Sequence, residues 1–285
     1  MLSLDGIFFV WIKLRLSRAA LSSPNAQHLM ALAIAHHIPE PVKTYHKFSR
    51  TPFFGLLIVL VLLVIYEASS TMLYYEAARA PQGNMAEVMI KRVFWYFGFQ
   101  YNFLNWLVYA ALLVWAFLSA RKQQLLAFEP VYFPYAIFES LTYALILGSM
   151  VNLMSRGAVI HIKFLGQVST DLSPAMKMAQ ALGAGIYEEL LFRFFILTAL
   201  LFLFQHTLVN TKPLVRQALA LFISAMLFSA YHFLDSAVAQ TMTLSAFVLR
   251  FYAGVILGMI FLWRGLGVAA YTHAFYDLFL VFQRG

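Results

Sequence analysis

The sequence of 285 residues contains no cysteine and few charged residues. The absence of cysteine excludes disulfides, thiolate nucleophiles, iron–sulfur clusters and zinc sites with Cys ligands. Only 11% of the residues are charged, against about 25% in soluble domains, and 62% are hydrophobic. Such a chain has too little polar surface for an ordinary soluble or disordered protein. The composition therefore indicates a protein of the lipid bilayer.

The net charge of +8 lacks the clustering that a nucleic-acid site requires. Lys and Arg fall mostly in short stretches between apolar runs, with no dense basic stripe. A phosphate backbone needs a clustered cationic surface, so we expect no nucleic-acid partner. Basic loops that face anionic membrane lipids explain the excess of positive charge better.

Long apolar runs predict an all-α, polytopic transmembrane bundle. A helix needs about 20 mainly apolar residues to span a bilayer. Seven runs qualify, and one split or re-entrant helix would make eight spans. They lie at about 51–75, 93–120, 131–154, 173–205, 214–233, 242–263 and 266–283.

The first 50 residues differ from the rest. Apolar residues recur there at helical spacing, with basic residues elsewhere on the wheel: Leu4, Ile7, Phe8, Trp11 and Leu14. This pattern is typical of an amphipathic helix in the membrane interface. We therefore predict a membrane-surface segment at 1–50 and N-terminal transmembrane helices at 51–129.

The distribution of Lys and Arg between alternate loops predicts the orientation. Eleven lie on the side of the N terminus, Arg264 among them, and seven lie on the opposite side. Because cytoplasmic loops are enriched in positive charge, this modest bias predicts a multi-pass protein of the plasma membrane with a cytoplasmic N terminus.

Three groups of ionisable residues fall inside predicted spans. A charge in hydrocarbon costs at least about 2.5–3.5 kcal/mol on insertion scales, so such residues are functional candidates by default. The groups are Glu188 and Glu189 with Arg193, then His232, and then His273 with Asp277.

Helical spacing predicts how these groups meet. Glu189 and Arg193 are four residues apart and can neutralise each other within one helix. Glu188 points about 100° away and needs partners from other helices, for which His232 and His273 are candidates. Glu188 and His232 both lie roughly 25 Å from the cytoplasmic side, whereas His273 is only roughly 10 Å into its span. His273 therefore joins them only if its helix is tilted, displaced or begins deeper.

A buried Glu without a local partner, two His and an Asp suit the activation of water. The carboxylate can act as general base, one His can fix the attacking water, and a second His can stabilise an oxyanion. Glu188, His232 and His273 are also a conceivable metal-ligand set, in which zinc would lower the pKa of bound water to about 7.

The motifs Glu188-Glu189-x-x-x-Arg193, Phe228-x-x-x-His232 and His273-x-x-x-Asp277 occur in this order on separate predicted helices. Together they resemble the motifs of the CPBP intramembrane proteases. This family, also called ABI, includes the type II CAAX prenyl endopeptidases and bacteriocin-processing proteins. The resemblance covers roughly residues 130–284, so 130–285 is predicted to be the catalytic transmembrane domain.

The resemblance implies an all-helical intramembrane protease that acts on a membrane-anchored peptide or protein. Glu188 would work with His232 to activate water, and His273 with Asp277 would stabilise the oxyanion. Glu189 and Arg193 would be structural partners. The family is now more often treated as glutamate-type than as metal-dependent, so we expect no cofactor and keep zinc as the alternative.

Asp277 departs from the family pattern, because this position is often Asn in the prenyl-protease branch. An ionised carboxylate cannot donate a hydrogen bond to an oxyanion. Either Asp277 is protonated, or it orients and charges His273, which then donates alone. The departure also weakens a specific prediction of prenylated substrates, and another membrane-bound peptide is an equal alternative.

Two other functions compete with proteolysis. A catalytically inactive family member could act as an immunity or scaffold protein, but the intact Glu188, His232 and His273 count against it. A proton-coupled transporter would predict paired halves with broken helices, and the sequence shows no such symmetry.

Three further residues within the predicted spans were considered. Gly183 and Gly185 are expected to permit close helix contacts. Glu139, on the third predicted span, is given no role.

Overall fold

The computed structural model describes residues 40–77, 84–98, 101–122, 129–157, 174–233 and 244–282. These residues form helices, with no strand among them, which confirms the predicted all-α class. The helices are α1 Glu40–Ser49, α2 Pro52–Ala77, α3 Met85–Tyr96, α4 Tyr101–Lys122, α5 Tyr132–Gly157, α6 Pro174–Gly183, a π-helical segment Ala184–Leu197, α7 Thr198–Thr207, α8 Pro213–Tyr231, α9 Leu244–Arg264 and α10 Leu266–Phe282.

The chain divides into two compact units, 1–48 and 49–285. The described part of the first unit is most of α1, and the predicted amphipathic helix before it lies outside the described residues. All the candidate site residues belong to the second unit.

Four helices in the described part of the chain are long and apolar enough to cross a membrane. They lie at Pro52–Ser70, Tyr132–Val151, Pro213–Tyr231 and Leu244–Arg264, and two shorter apolar helices lie at Tyr109–Arg121 and Leu266–Phe282. The predicted run at 173–205 forms one continuous helical stretch made of α6, the π segment and α7. The chain is thus an integral membrane protein, and the predicted seven to eight spans are only roughly supported.

The predicted single span at 93–120 is wrong, because this run is divided between two helices. Helix α3 ends at Tyr96, a turn follows at Phe97 and Gly98, and α4 begins at Tyr101. Gly98 has φ +86°, a left-handed conformation that glycine adopts without the steric cost of a Cβ. No charged residue interrupts the run at this turn, so the search for long uncharged runs does not detect it.

Helix α10 lies at the centre of the second unit, where it packs against α2, α5, α6, α9 and the π segment. The first half of α10 is buried on all sides, from Leu266 to Ala274. Gly185 permits this packing, since a Cβ there would lie 2.7 Å from both Ala270 O and Ala274 Cβ. The predicted role of Gly185 in close helix contact is therefore confirmed.

The assignment of Arg264 to a cytoplasmic loop is wrong. Its side chain is buried and forms an ion pair with Glu139 on α5, with Arg264 Nη2 2.8 Å from Glu139 Oε2. Tyr143 donates a further hydrogen bond to Glu139 at 3.0 Å. Because α9 extends to Arg264 and α10 begins at Leu266, Gly265 alone separates the two helices and no loop exists there. The count of loop cations on the N-terminal side therefore falls by one.

The π segment replaces the regular α-helix that the sequence predicts around the Glu pair. Its backbone hydrogen bonds join residues five apart, which requires more residues per turn than an α-helix has. The angle around the helix axis between the side chains of Glu188 and Glu189 is therefore smaller than the expected value of about 100°. Both side chains, together with Arg193, are buried in the bundle.

Candidate active site

Two of the predicted residues, His232 and His273, face one carboxylate oxygen of a third, Glu188. Glu188 lies in the π segment, His232 follows the last residue of α8, and His273 lies in the middle of α10. The Oε2 atom of Glu188 is 3.7 Å from Nε2 of His232 and 3.9 Å from Nε2 of His273. This oxygen has no hydrogen-bond partner among the described residues. The site therefore presents one carboxylate oxygen to two imidazole nitrogens.

The backbone of α8 holds the ring of His232. Its Nδ1 lies 2.9 Å from the carbonyl oxygen of Phe228, one turn earlier in the helix. A carbonyl oxygen can only accept, so Nδ1 carries the proton, and Nε2 of the neutral ring is left as an acceptor. The rings of Phe228 and Tyr231 pack edge-on against the imidazole, at centroid distances of 4.8 and 5.1 Å. His232 thus turns a proton-accepting nitrogen towards Glu188.

Glu189 holds the ring of His273. Glu189 Oε1 lies 2.7 Å from His273 Nδ1, and the same oxygen lies 2.9 Å from Arg193 Nη1. The ion pair predicted within one helix is therefore confirmed. The contact between Glu189 and His273 was not predicted, because it joins residues 84 positions apart and no spacing rule reveals it.

Asp277 lies one turn beyond His273 on α10, as the four-residue spacing predicts. Its Oδ2 is 3.5 Å from His273 Nε2, the nitrogen that also faces Glu188. This distance is long for a hydrogen bond but close enough for a strong electrostatic interaction. His273 is thus approached by three carboxyl groups, from Glu188, Glu189 and Asp277.

The expected mismatch in depth between His273 and the other two residues does not prevent their contact. Helix α10 begins inside the bundle at Leu266, so its seventh and eighth residues are already enclosed by neighbouring helices. Small residues allow this, since Gly267 approaches the backbone of Gly55 on α2. Counting residues from an assumed membrane surface therefore underestimated how deeply His273 lies.

Two polar residues of the site were missed. Asn84, at the start of α3, donates from Nδ2 to Glu188 Oε1 at 3.1 Å. Arg250, on α9, is buried, interacts electrostatically with Glu188 and His232, and has its guanidinium 5.1 Å from the ring centroid of Phe233. Arg250 could have been found as a charge within an apolar run. Asn84 could not, because nothing in its local sequence connects it with a residue 104 positions later.

Cations and carboxyl groups are balanced within the buried region. Arg193 pairs with Glu189, places its guanidinium 4.2 Å from the ring centroid of Phe228, and donates to Gly254 O at 3.4 Å. Arg250 supplies a second positive charge near Glu188. Buried charges remain stable only when other charges and hydrogen bonds compensate them. These ion pairs and hydrogen bonds therefore stabilise ionisable side chains in a buried part of the protein.

This arrangement is suited to moving a proton between water and a fixed carboxyl group. Glu188 Oε2 and His232 Nε2 can both accept a proton from a water between them, and a protonated His273 can donate from Nε2. Within the described ranges, no group of three or more His, Asp and Glu side chains has the arrangement of a metal site. The zinc alternative on Glu188, His232 and His273 is a matter for chelation experiments.

Comparisons with known proteins agree with the motifs. No curated protein and no solved structure matches the chain significantly. The family model of the type II CAAX prenyl endopeptidase Rce1-like proteins matches residues 171–279, a shorter segment than the expected 130–284. That segment contains Glu188, His232, His273 and Asp277. The resemblance to type II CAAX prenyl endopeptidases, a family of membrane proteases, is therefore confirmed for the part of the chain that carries all three motifs.

Proposed function

We propose that the protein is an intramembrane endopeptidase that hydrolyses a peptide bond of a membrane-anchored substrate with water activated by Glu188 and His232. The observation that carries the proposal is the convergence of two imidazole Nε2 atoms on Glu188 Oε2. This carboxylate oxygen is buried and makes no hydrogen bond to the described residues. A carboxylate in so dry a place is a strong proton acceptor, as a general base requires.

In the proposed reaction, a water molecule donates hydrogen bonds to both Glu188 Oε2 and His232 Nε2, which lie 3.7 Å apart. Glu188 takes one proton as the water oxygen bonds to the carbonyl carbon of the scissile peptide, and the carbonyl π electrons move onto its oxygen. When the tetrahedral intermediate collapses, the C–N bond breaks and Glu188 returns the proton to the leaving amine. The products are a carboxylic acid and an amine, and the enzyme regains its starting state.

His273 is the proposed donor to the oxyanion. Glu189 accepts from its Nδ1, and nearby carboxyl groups favour a charged ring whose Nε2–H can donate. Asp277 lies against that same nitrogen, so we favour its role in orienting and charging His273 over direct donation to the oxyanion. Glu189 and Arg193 support the site as an ion pair, and no cofactor takes part.

The proposed substrate is a peptide or protein held at the membrane, with a prenylated C-terminal segment as the first class to test. The family description names prenyl substrates, whereas Asp277 in place of the frequent Asn leaves room for other anchored peptides. We further propose a plasma-membrane location with a cytoplasmic N terminus, which the modest bias of loop cations supports.

The test uses the purified full chain in liposomes and two fluorogenic peptides of identical sequence. One peptide carries a farnesyl group on a Cys three residues from its C terminus, and mass spectrometry identifies the products. We expect endoproteolytic cleavage of the farnesylated peptide by the wild type and none by Glu188→Ala. Equal cleavage of both peptides would remove the prenyl requirement. Failure to cut either peptide would contradict the proposal and favour the inactive scaffold.

A further inference from the structure

The carboxylate of Glu188 is held from one side by a residue outside the segment that matches the protease family. Asn84 lies 104 residues before Glu188, and the matched segment begins only at residue 171. Its Nδ2 donates to Glu188 Oε1 at 3.1 Å. Oε1 is therefore engaged by an amide, and the unengaged Oε2 is the oxygen that faces His232 and His273.

Helix capping determines which way the Asn84 amide points. Asn84 is the N-cap of α3, and its Oδ1 accepts a hydrogen bond from Ala86 N at 2.9 Å. A backbone N–H can only donate, so the amide oxygen must face Ala86 and the NH₂ group must face Glu188. The cap thus aims a donor at the carboxylate and removes the alternative, flipped orientation of the amide.

Neighbouring helices hold the Asn84 cap in place. Glu87, the third residue of α3, is buried and accepts a hydrogen bond from Tyr66 on α2 at 2.5 Å. Gly183 lies directly beside the cap, since a Cβ there would be 3.3 Å from Asn84 Cβ and 2.7 Å from Tyr66 Cε2. The absence of a side chain at Gly183 therefore allows Asn84 to approach the π segment.

We infer that Asn84 is a positioning residue, which orients the Glu188 carboxylate so that Oε2 points at His232 and His273. This inference rests on the proposed function, because that function makes Glu188 the general base. The two oxygens of a carboxylate are equivalent, so a half-turn about the Cγ–Cδ bond changes nothing, but a partial rotation would move the oxygen that faces the two imidazoles away from the attacking water. Asn84 thus acts on the reaction through Glu188 and is not itself a catalytic residue.

The first test is Asn84→Ser, assayed on the farnesylated fluorogenic peptide. Serine caps helices about as well as asparagine, so α3 keeps its N-cap bond while Glu188 loses its donor. We expect kcat to fall by about 10- to 100-fold, because small displacements of a reacting group are costly, with KM changed less than about twofold. The matched control is Glu139→Gln, which removes a buried ion pair that contacts neither Glu188 nor the Asn84 cap. It should lower the Tm and leave kcat unchanged.

The second test measures thermal stability and needs no activity. Asn84→Ser should lower the Tm by about 2–4 °C in the wild type but not in a Glu188→Ala background, where the bond is already absent. An equal loss of Tm in both backgrounds would overturn the inference. An unchanged kcat would also overturn the inference. A loss of kcat/KM that comes entirely from a higher KM would do the same.

The two tests separate this inference from the proposed function. If Glu188→Ala abolishes cleavage and Asn84→Ser retains the wild-type kcat, the positioning role is wrong and the proposed function stands. If Glu188→Ala cleaves as well as the wild type, the proposed function is wrong, and the positioning role falls with it.

Discussion

Nδ1 of His273 lies 2.7 Å from Oε1 of Glu189, the oxygen that also lies 2.9 Å from Arg193 Nη1. One carboxylate therefore binds a cation of its own helix and the imidazole of a helix that follows much later in the chain. All three side chains are buried. Glu189 is thus the point where the ion pair and the proposed oxyanion donor are joined.

The first prediction concerns the cost of leaving Glu189 without its cation. Arg193→Met removes the guanidinium and leaves a buried carboxylate, so we expect a loss of about 3–5 kcal/mol in the free energy of unfolding. The double variant Glu189→Gln with Arg193→Met should recover part of this loss, because residue 189 then carries no charge that needs the guanidinium and the Gln oxygen can still accept from His273. Unfolding in detergent, followed by circular dichroism, measures both effects. A double variant less stable than Arg193→Met would contradict this account.

The second prediction separates the two histidines. His232→Ala should lower kcat by about 10²–10³-fold with little change in Tm, because 25% of this side chain is exposed and its hydrogen bond is to a backbone carbonyl of its own helix. His273→Ala should cause a similar loss of kcat together with a lower Tm, because only 6% of its side chain is exposed and it binds Glu189. Peptide cleavage and thermal unfolding of the same samples check both. Equal effects of the two substitutions on Tm would show that burial does not distinguish them.

The third prediction concerns the approach of α10 to the π segment. Gly185→Ala places a Cβ 2.7 Å from Ala270 O, a backbone atom that can move away only with α10 itself. We expect a loss of about 1–3 kcal/mol in stability and a displaced His273, with lower activity. Gly148→Ala is the matched control, because its Cβ would meet only Tyr276, at an ordinary distance of 3.7 Å. Wild-type Tm in both variants would contradict the close packing.

The fourth prediction concerns an ion pair remote from the candidate site. Glu139→Gln leaves the buried guanidinium of Arg264 without its carboxylate, which should lower the free energy of unfolding by about 3–5 kcal/mol. Cleavage per folded molecule should remain at the wild-type rate, since neither residue touches Glu188. Glu129→Gln, at an exposed position, is the control and should change neither quantity. A drop in kcat without a drop in Tm would place Glu139 in the reaction instead.

The helical class and the three motifs could be predicted because intramembrane charges are rare and costly. Glu188, His232 and His273 stood out for that reason, and four-residue spacing correctly paired Glu189 with Arg193 and His273 with Asp277. These are local relationships within one helix or properties of single residues, which the sequence displays directly.

Arg250 could have been found from the sequence, but the other missed features depend on tertiary packing. The turn at Gly98 lies in a run without charged residues, so the search for long uncharged runs merged two helices into one. The buried pair of Arg264 with Glu139 and the bond from Asn84 to Glu188 join residues more than 100 positions apart. The change to π-helical hydrogen bonding around Glu188 was also missed, because the pattern of apolar residues there matches an ordinary helix.

The most direct test of the central claim is the rate of cleavage of the farnesylated peptide by wild type and Glu188→Gln in the same liposomes, with and without a strong chelator. Glutamine keeps the shape of the side chain and can still accept from Asn84, but it cannot take a proton from water. We predict a loss in kcat of about 10³-fold or more for Glu188→Gln and no effect of the chelator on the wild type. Wild-type cleavage by Glu188→Gln, or loss on chelation with rescue by zinc, would contradict the account.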